Sequence, residues 1–216
     1  MSIEAFWKWF GMHAQRFADA SDFADVLHEV QAGIAEHLDA RLVPELGCPD
    51  GGASLFALSP NGSREMLAVC ERAVGLAPSI KGWRFAVGRQ PKDLGNGLEI
   101  EDKVGRATVR PLTWSYQLRK HPADVPFDIA VDAIELVHRR TETVDAQDIV
   151  DVVLSSLLGE RDRLWLFHGI LIYGINESKE SGTRTIPLTH LRDQLVQLGW
   201  VTKDCNSGDR NSGNTS

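Results

Sequence analysis

Two stretches of apolar residues at helical spacing open the chain, and the surface they must bury decides which folds are available to it. Ile3, Phe6, Trp7, Phe10, Ala14 and Phe17 fall on one face of a helix of about five turns. A second stripe, Phe23, Val26, Leu27, Val30, Ile34 and Leu38, follows Asp22, which suits an N-cap, and Pro44 with Gly47 marks its exit. Neighbouring stripes of this kind predict a helical hairpin. The hairpin is expected to pack on a sheet, which supplies a further apolar layer.

That layer is expected from the period-two runs that follow. Ser54–Ser59 reads as a strand closed by the turn pair Asn61-Gly62, and Trp83–Arg89 as another. Between them Ser63 caps a helix whose buried face is Met66, Leu67, Cys70, Ala73, Val74 and Ala77, stopped by Pro78. Leu112, Trp114, Tyr116 and Leu118 alternate with polar residues as in a half-buried strand. Phe127–Val137 also reads as a strand. A helix from Asp145 to Gly159 is apolar almost all round and is expected to be central. Leu164–Ile175 reads as a long buried strand, and Pro187 opens a last helix that ends at Gly199.

The expected fold is a single α+β domain over residues 1–202. An N-terminal helical hairpin packs on an antiparallel or mixed sheet of about six strands, with a buried central helix and a C-terminal helix. Each half of the chain reads as two strands, a helix and a further strand, a weak internal repeat offset by about eighty residues. Residues 203–216, rich in Asn, Ser and Gly, offer nothing to bury and are expected to be a disordered tail.

Composition narrows the function classes. The net charge of −7 opposes general affinity for nucleic acid or anionic membranes. The longest apolar run, Leu164–Ile175, is interrupted by His168 and is too short for a membrane span. The N-terminus lacks the basic and plain apolar segments of a secretory signal, so a cytoplasmic location is expected. Cys48, Cys70 and Cys205 form neither a disulfide framework nor a C-x-x-C metal site.

Phe6-Trp7-Lys8-Trp9-Phe10, the segment Ala77 to Trp83, and Leu157-Leu158-Gly159-Glu160 together resemble a family of uncharacterised bacterial proteins. Those proteins begin with an F-W-x-W-F helix and carry A-P-x-x-x-x-W and L-L-G-E elements. The resemblance spans positions 6 to 200 and implies a shared architecture, with no activity attached.

The residue constellations each admit a bland reading. Lys81 to Lys92 interleaves basic and aromatic residues as a phosphate-binding strand would. On a strand, however, Trp83, Phe85 and Val87 turn into the core while Arg84 turns away. Asp128, Asp132, Glu135 and His138 could hold a metal, but their spacing matches no metal loop and reads as a solvated face. His168 reads as a hydrogen-bonded core residue, and Glu160 to Arg163 as an exposed turn with internal ion pairs. Trp9 lies off the main stripe of the first helix, with Met12 beyond it, so the helix is apolar on more than one face. Either that second side packs on the sheet, or Trp9 and Met12 belong to an interface.

With no nucleophile motif or phosphate loop present, the expected function is non-enzymatic binding of another protein or self-association, in the manner of an immunity or regulatory factor, with no cofactor. Trp9, Met12, Arg84 and Arg89 are the candidate contact residues. The alternative is a small hydrolase or metal-assisted enzyme using Asp128, Asp132 and His138, or His168.

Overall fold

The computed structural model describes residues 2–20, 23–48, 52–92, 94, 97–102, 105–120, 126–133, 136, 146–173 and 186–202. The aromatic stripe does form a helix, α1 (Ile3–Ala18), whose first turn is capped by Ser2 Oγ accepting from the Ala5 N–H at 3.2 Å. The second stripe forms α2 (Phe23–His37). Ser2 N–H donates to His37 O at 3.0 Å, so the start of α1 meets the end of α2, as a hairpin requires.

The hairpin covers a three-stranded sheet. Strand β1 (Val43–Gly47) runs antiparallel to β2 (Ser54–Ser59). The chain then crosses through α3 (Arg64–Gly75) to β3 (Trp83–Val87), which is parallel to β2. Phe6, Trp7, Phe10, Phe17, Phe56 and Trp83 fill the space between helices and sheet, with Phe85 packed beside them. Most of these rings meet edge to face, as Phe10 and Trp83 do at 5.1 Å and 82°. Both buried indoles keep a partner: Trp7 Nε1–H donates to Ala73 O at 2.7 Å, and Trp83 Nε1–H to Ala14 O at 3.0 Å. These bonds fix α3 and β3 against α1.

A hairpin of β4 (Leu98–Asp102) and β5 (Gly105–Val109) leads to the second sheet. Here β6 (Ser115–Lys120) runs antiparallel to β7 (Phe127–Asp132). Two helices follow, α4 (Ala146–Leu158) and α5 (Glu160–Leu166), and β8 (Phe167–Tyr173) returns parallel to β7. The two-residue strand β9 (Ile186–Pro187) joins the far side of β6, and α6 (Leu191–Gln197) closes the described chain. This half has its own core, with Trp114, Tyr116, Ile129, Val131, Val153 and Leu191 at its centre.

The α+β class is therefore as expected, but the single six-stranded sheet is replaced by two mixed sheets of three and four strands plus a hairpin. Both halves have the same connectivity: an antiparallel pair, helix, then a strand parallel to the second of the pair. Their orders are β1-β2-β3 and β6-β7-β8. The third strand of the second half falls later because α5 is inserted before it.

Three further expectations are corrected. Leu164–Ile175 is not one long strand: α5 runs to Leu166 and the strand begins at Phe167. The alternating run at Leu112 starts as a 3-10 turn, Pro111–Thr113, and becomes strand only at Ser115, leaving Leu112 on the surface. Strand β1 passed as a helix exit because of its proline. Pro44 is tolerated there because β1 is an edge strand. The tail, Asp22 and Asp145 lie outside the described residues.

Candidate functional site: the α5 seam and its exposed face

The short helix α5 is where the two halves lock together. Gly159, which separates it from α4, has φ +87° and ψ 145°, a conformation open to glycine alone, and an added Cβ would lie 3.1 Å from Pro91. That turn sends Glu160 inward, to 2% exposure. Its carboxylate accepts from the first half with both oxygens: Gly62 N–H reaches Oε1 at 2.9 Å and Arg89 N–H reaches Oε2 at 3.0 Å. Glu160 N–H returns a bond to Arg89 O at 2.9 Å. At the other end of α5, Arg64 of α3 donates to Leu164 O and, at 2.7 Å, to Phe167 O. An acid at the N-terminus and an arginine at the C-terminus both complement the helix dipole.

The expected exposed turn at Glu160–Arg163 is thus a helix whose first residue is a buried acid. The L-L-G-E element acquires a physical meaning: Leu158 fills the second core, Gly159 makes the turn, and Glu160 ties the halves. Arg163 pairs with Asp151 of α4. Burial pushes that carboxyl up and that guanidinium down, and each pulls the other partly back.

Above the seam lies a groove of about 520 Å³. Its walls are α3, Phe85-Ala86-Val87 of β3, the Arg89–Pro91 turn, and the start of α5. Arg89, Arg161 and Arg192 line it together with Glu71 and Asp162. Arg161 Nε–H donates to Glu71 Oε1 at 2.9 Å. Burial raises the Asp162 carboxyl above its ordinary range, and the nearby Arg161 and Arg192 offset part of the rise.

One turn beyond Arg161, on the same face of α5, Trp165 stands 55% exposed. Its ring lies 6.4 Å from that of Trp200, itself 44% exposed and set edge-on to Phe127 at 5.7 Å. Trp200 is placed by the end of α6. Gly199, at φ +77°, turns the chain so that Gly199 N–H donates to Val196 O and Trp200 N–H to Leu195 O, the double bond of a glycine-terminated helix. Leu198, in the same turn, is 52% exposed. Two large indoles and a leucine are therefore held in water by ordered backbone.

Of the residues proposed from sequence, Arg89 lines the groove and Arg84 sits half-buried on β3. Trp9 is half-buried, with its ring over Gly33 of α2 and against Phe6, His13, Phe17 and His37. Met12 is exposed. His168, expected in the core, faces solvent with its Nδ1 3.7 Å from Asp128 Oδ1. Phe167 turns into the core, so its neighbour His168 alternates outward, and the register of β8 then shifts by one residue before Ile170. The Gly169 N–H left over donates to the same Asp128 oxygen at 2.9 Å. Glu135 and His138 lie outside the described residues. Among the described residues no three His, Cys, Asp or Glu side chains are grouped to hold a metal, and no helix is long and apolar enough to cross a membrane.

Nothing in the sequence singles out Trp165 or Trp200, and Glu160 reads there as part of an exposed turn. Glu160 followed by apolar residues at Leu164 and Phe167 was the available helical signal, and it would have turned Trp165 outward. Neither family models nor curated protein sequences nor solved structures gave a match to this chain.

Proposed function

We propose that this protein acts by binding another protein through the exposed face of α5 and the adjoining Trp200 turn, without performing chemistry on it. The observation that carries this reading is the pairing of Trp165 and Trp200, two indoles at a 6.4 Å ring separation that both remain about half exposed. Exposed apolar surface costs solubility, and tryptophan is the residue most enriched among the anchors of protein interfaces. Arginine ranks beside it, and Arg161 stands one turn away on the same helix. On this reading the protein is a regulatory or immunity-like factor of the bacterial cytoplasm, and Trp9 serves the hairpin first and any partner second.

Affinity capture with quantitative mass spectrometry tests it. The wild-type chain should enrich a partner that a Trp165→Ala, Trp200→Ala variant loses, while that variant melts within a few degrees of wild type. Capture of the same proteins at equal yield by both would refute the assignment.

A further inference from the structure

The four outer edges of the two main sheets are treated differently. The β1 edge carries Pro44, which cannot donate to an added strand, and Glu45 beside it. Strand β9 is two residues long and ends in Pro187. Strand β8 is interrupted by its bulge, and Gln147 of α4 donates to Ile170 O at 3.0 Å. Each is a recognised way of preventing edge-to-edge pairing.

Strand β3 is guarded at one end only, where Gln90 Nε2–H donates to Val87 O at 3.4 Å. Its sequence, Trp-Arg-Phe-Ala-Val, is regular and free of proline, and among the described residues no strand pairs with its outer side. Ser54 N–H donates to Gly82 O, and Gly88 N–H to Leu58 O. In a parallel ladder that alternation turns the backbone of Arg84 and Ala86 toward β2, and the backbone of Phe85 and Val87 away from it. The groove runs past this outward-facing stretch. Arg89, Arg161 and Arg192 line the same groove. Three guanidiniums face two carboxylates there, on a chain whose total charge is −7.

We infer that the groove receives an extended, acidic peptide segment of the partner protein, added as a strand to the free edge of β3. Main-chain bonds to Phe85 and to the Val87 N–H hold the segment, and a carboxylate on it is taken by Arg192 and Arg89. The apolar side chains of Val74 and Pro91 accept its alternate side chains. This rests on the reading that the protein works by binding another protein, and it names the form that partner presents.

The test uses the full chain and a phage-displayed library of short random peptides. Selected peptides should be enriched in Asp and Glu, and their binding should slow hydrogen exchange at the Phe85 and Val87 amides. A synthetic copy of a selected peptide, N-methylated at alternate residues so that it cannot form a ladder, should bind about tenfold more weakly or worse. Arg192→Gln and Arg89→Gln should each weaken binding while the melting temperature is retained. Trp165→Ala with Trp200→Ala should change peptide affinity by less than about threefold, so failure of the tryptophan surface and failure of the groove read out separately. A library that yields no binder, a basic consensus, or binding indifferent to N-methylation would overturn the inference.

Discussion

Replacing Glu160 probes the lock between the halves, and the structure sets the size of the effect. Glu160→Ala removes the acceptor from two backbone N–H groups, those of Gly62 and Arg89. The Arg89 group is partly buried and loses the full value of a charge-assisted bond, about 1.5–3 kcal/mol. Gly62 is exposed, so water takes over its N–H and the loss there is about 0.5–1 kcal/mol. Relief from burying a carboxylate offsets part of the sum. The expected cost is therefore about 2–3 kcal/mol, measured as a shift of the urea unfolding midpoint. Glu160→Gln keeps one acceptor oxygen and should cost less. Hydrogen exchange supplies the local check: the Arg89 amide should exchange faster in both variants, while amides in the middle of β7 change only in step with global stability. A Glu160→Ala chain as stable as wild type, or an Arg89 amide protected as before, would refute the role given to this carboxylate.

Three other outcomes are expected. An ideal Cβ on Gly33 would lie 2.5 Å from the Trp9 ring, so Gly33→Ala should destabilise by about 1–2 kcal/mol in the wild type yet be neutral or better in a Trp9→Ala background; additive costs would show that the ring does not sit in the hairpin seam. In a Cys205→Ser chain, Cys48 should react with a thiol reagent in the native state while Cys70, fully buried, reacts only on unfolding. Burial pushes the Cys70 thiol from its ordinary value of 9.0 up to about 12 and the Tyr116 hydroxyl from 10.0 up to about 12. Because both folded values are raised, the stability they represent is intact below pH 9 and is lost as pH rises toward 12; a Cys70→Ala, Tyr116→Phe chain should show a shallower alkaline decline, and an unchanged one would contradict this.

What could be read from the residues followed how local the physics was. Helix α1 was legible because its aromatic stripe, its cap at Ser2 and its length all agreed. Helix α3 was legible for the same reason, its cap, stripe and stop falling together at Ser63, Met66 to Ala73, and Pro78. Strand β3 showed its alternation, whereas β1, with Pro44 inside it, did not read as a strand. Helix α5 was hidden because its determinants are distant. Seven residues carry little helical signal, and the groups that hold its ends, Arg64, Gly62 and Arg89, are about a hundred or seventy positions away. Misplacing α5 in a strand concealed the outward turn of Trp165. His168 misled because it lies in an apolar run, whereas alternation along the strand from buried Phe167 turns it outward. The proposed binding face depends on these long-range contacts, so the aromatic residues that stood out along the chain were those of the core.

Photo-crosslinking from position 165 tests the central claim most directly. With a benzophenone amino acid in place of Trp165, irradiation in the native cell should yield one dominant adduct to a partner protein, reduced when Trp200 is also replaced by alanine. The same probe at Leu112, 48% exposed on a different element, should yield no such adduct. An adduct of equal yield from both positions, or none from position 165, would contradict the assignment of the α5 face as the surface through which this protein acts.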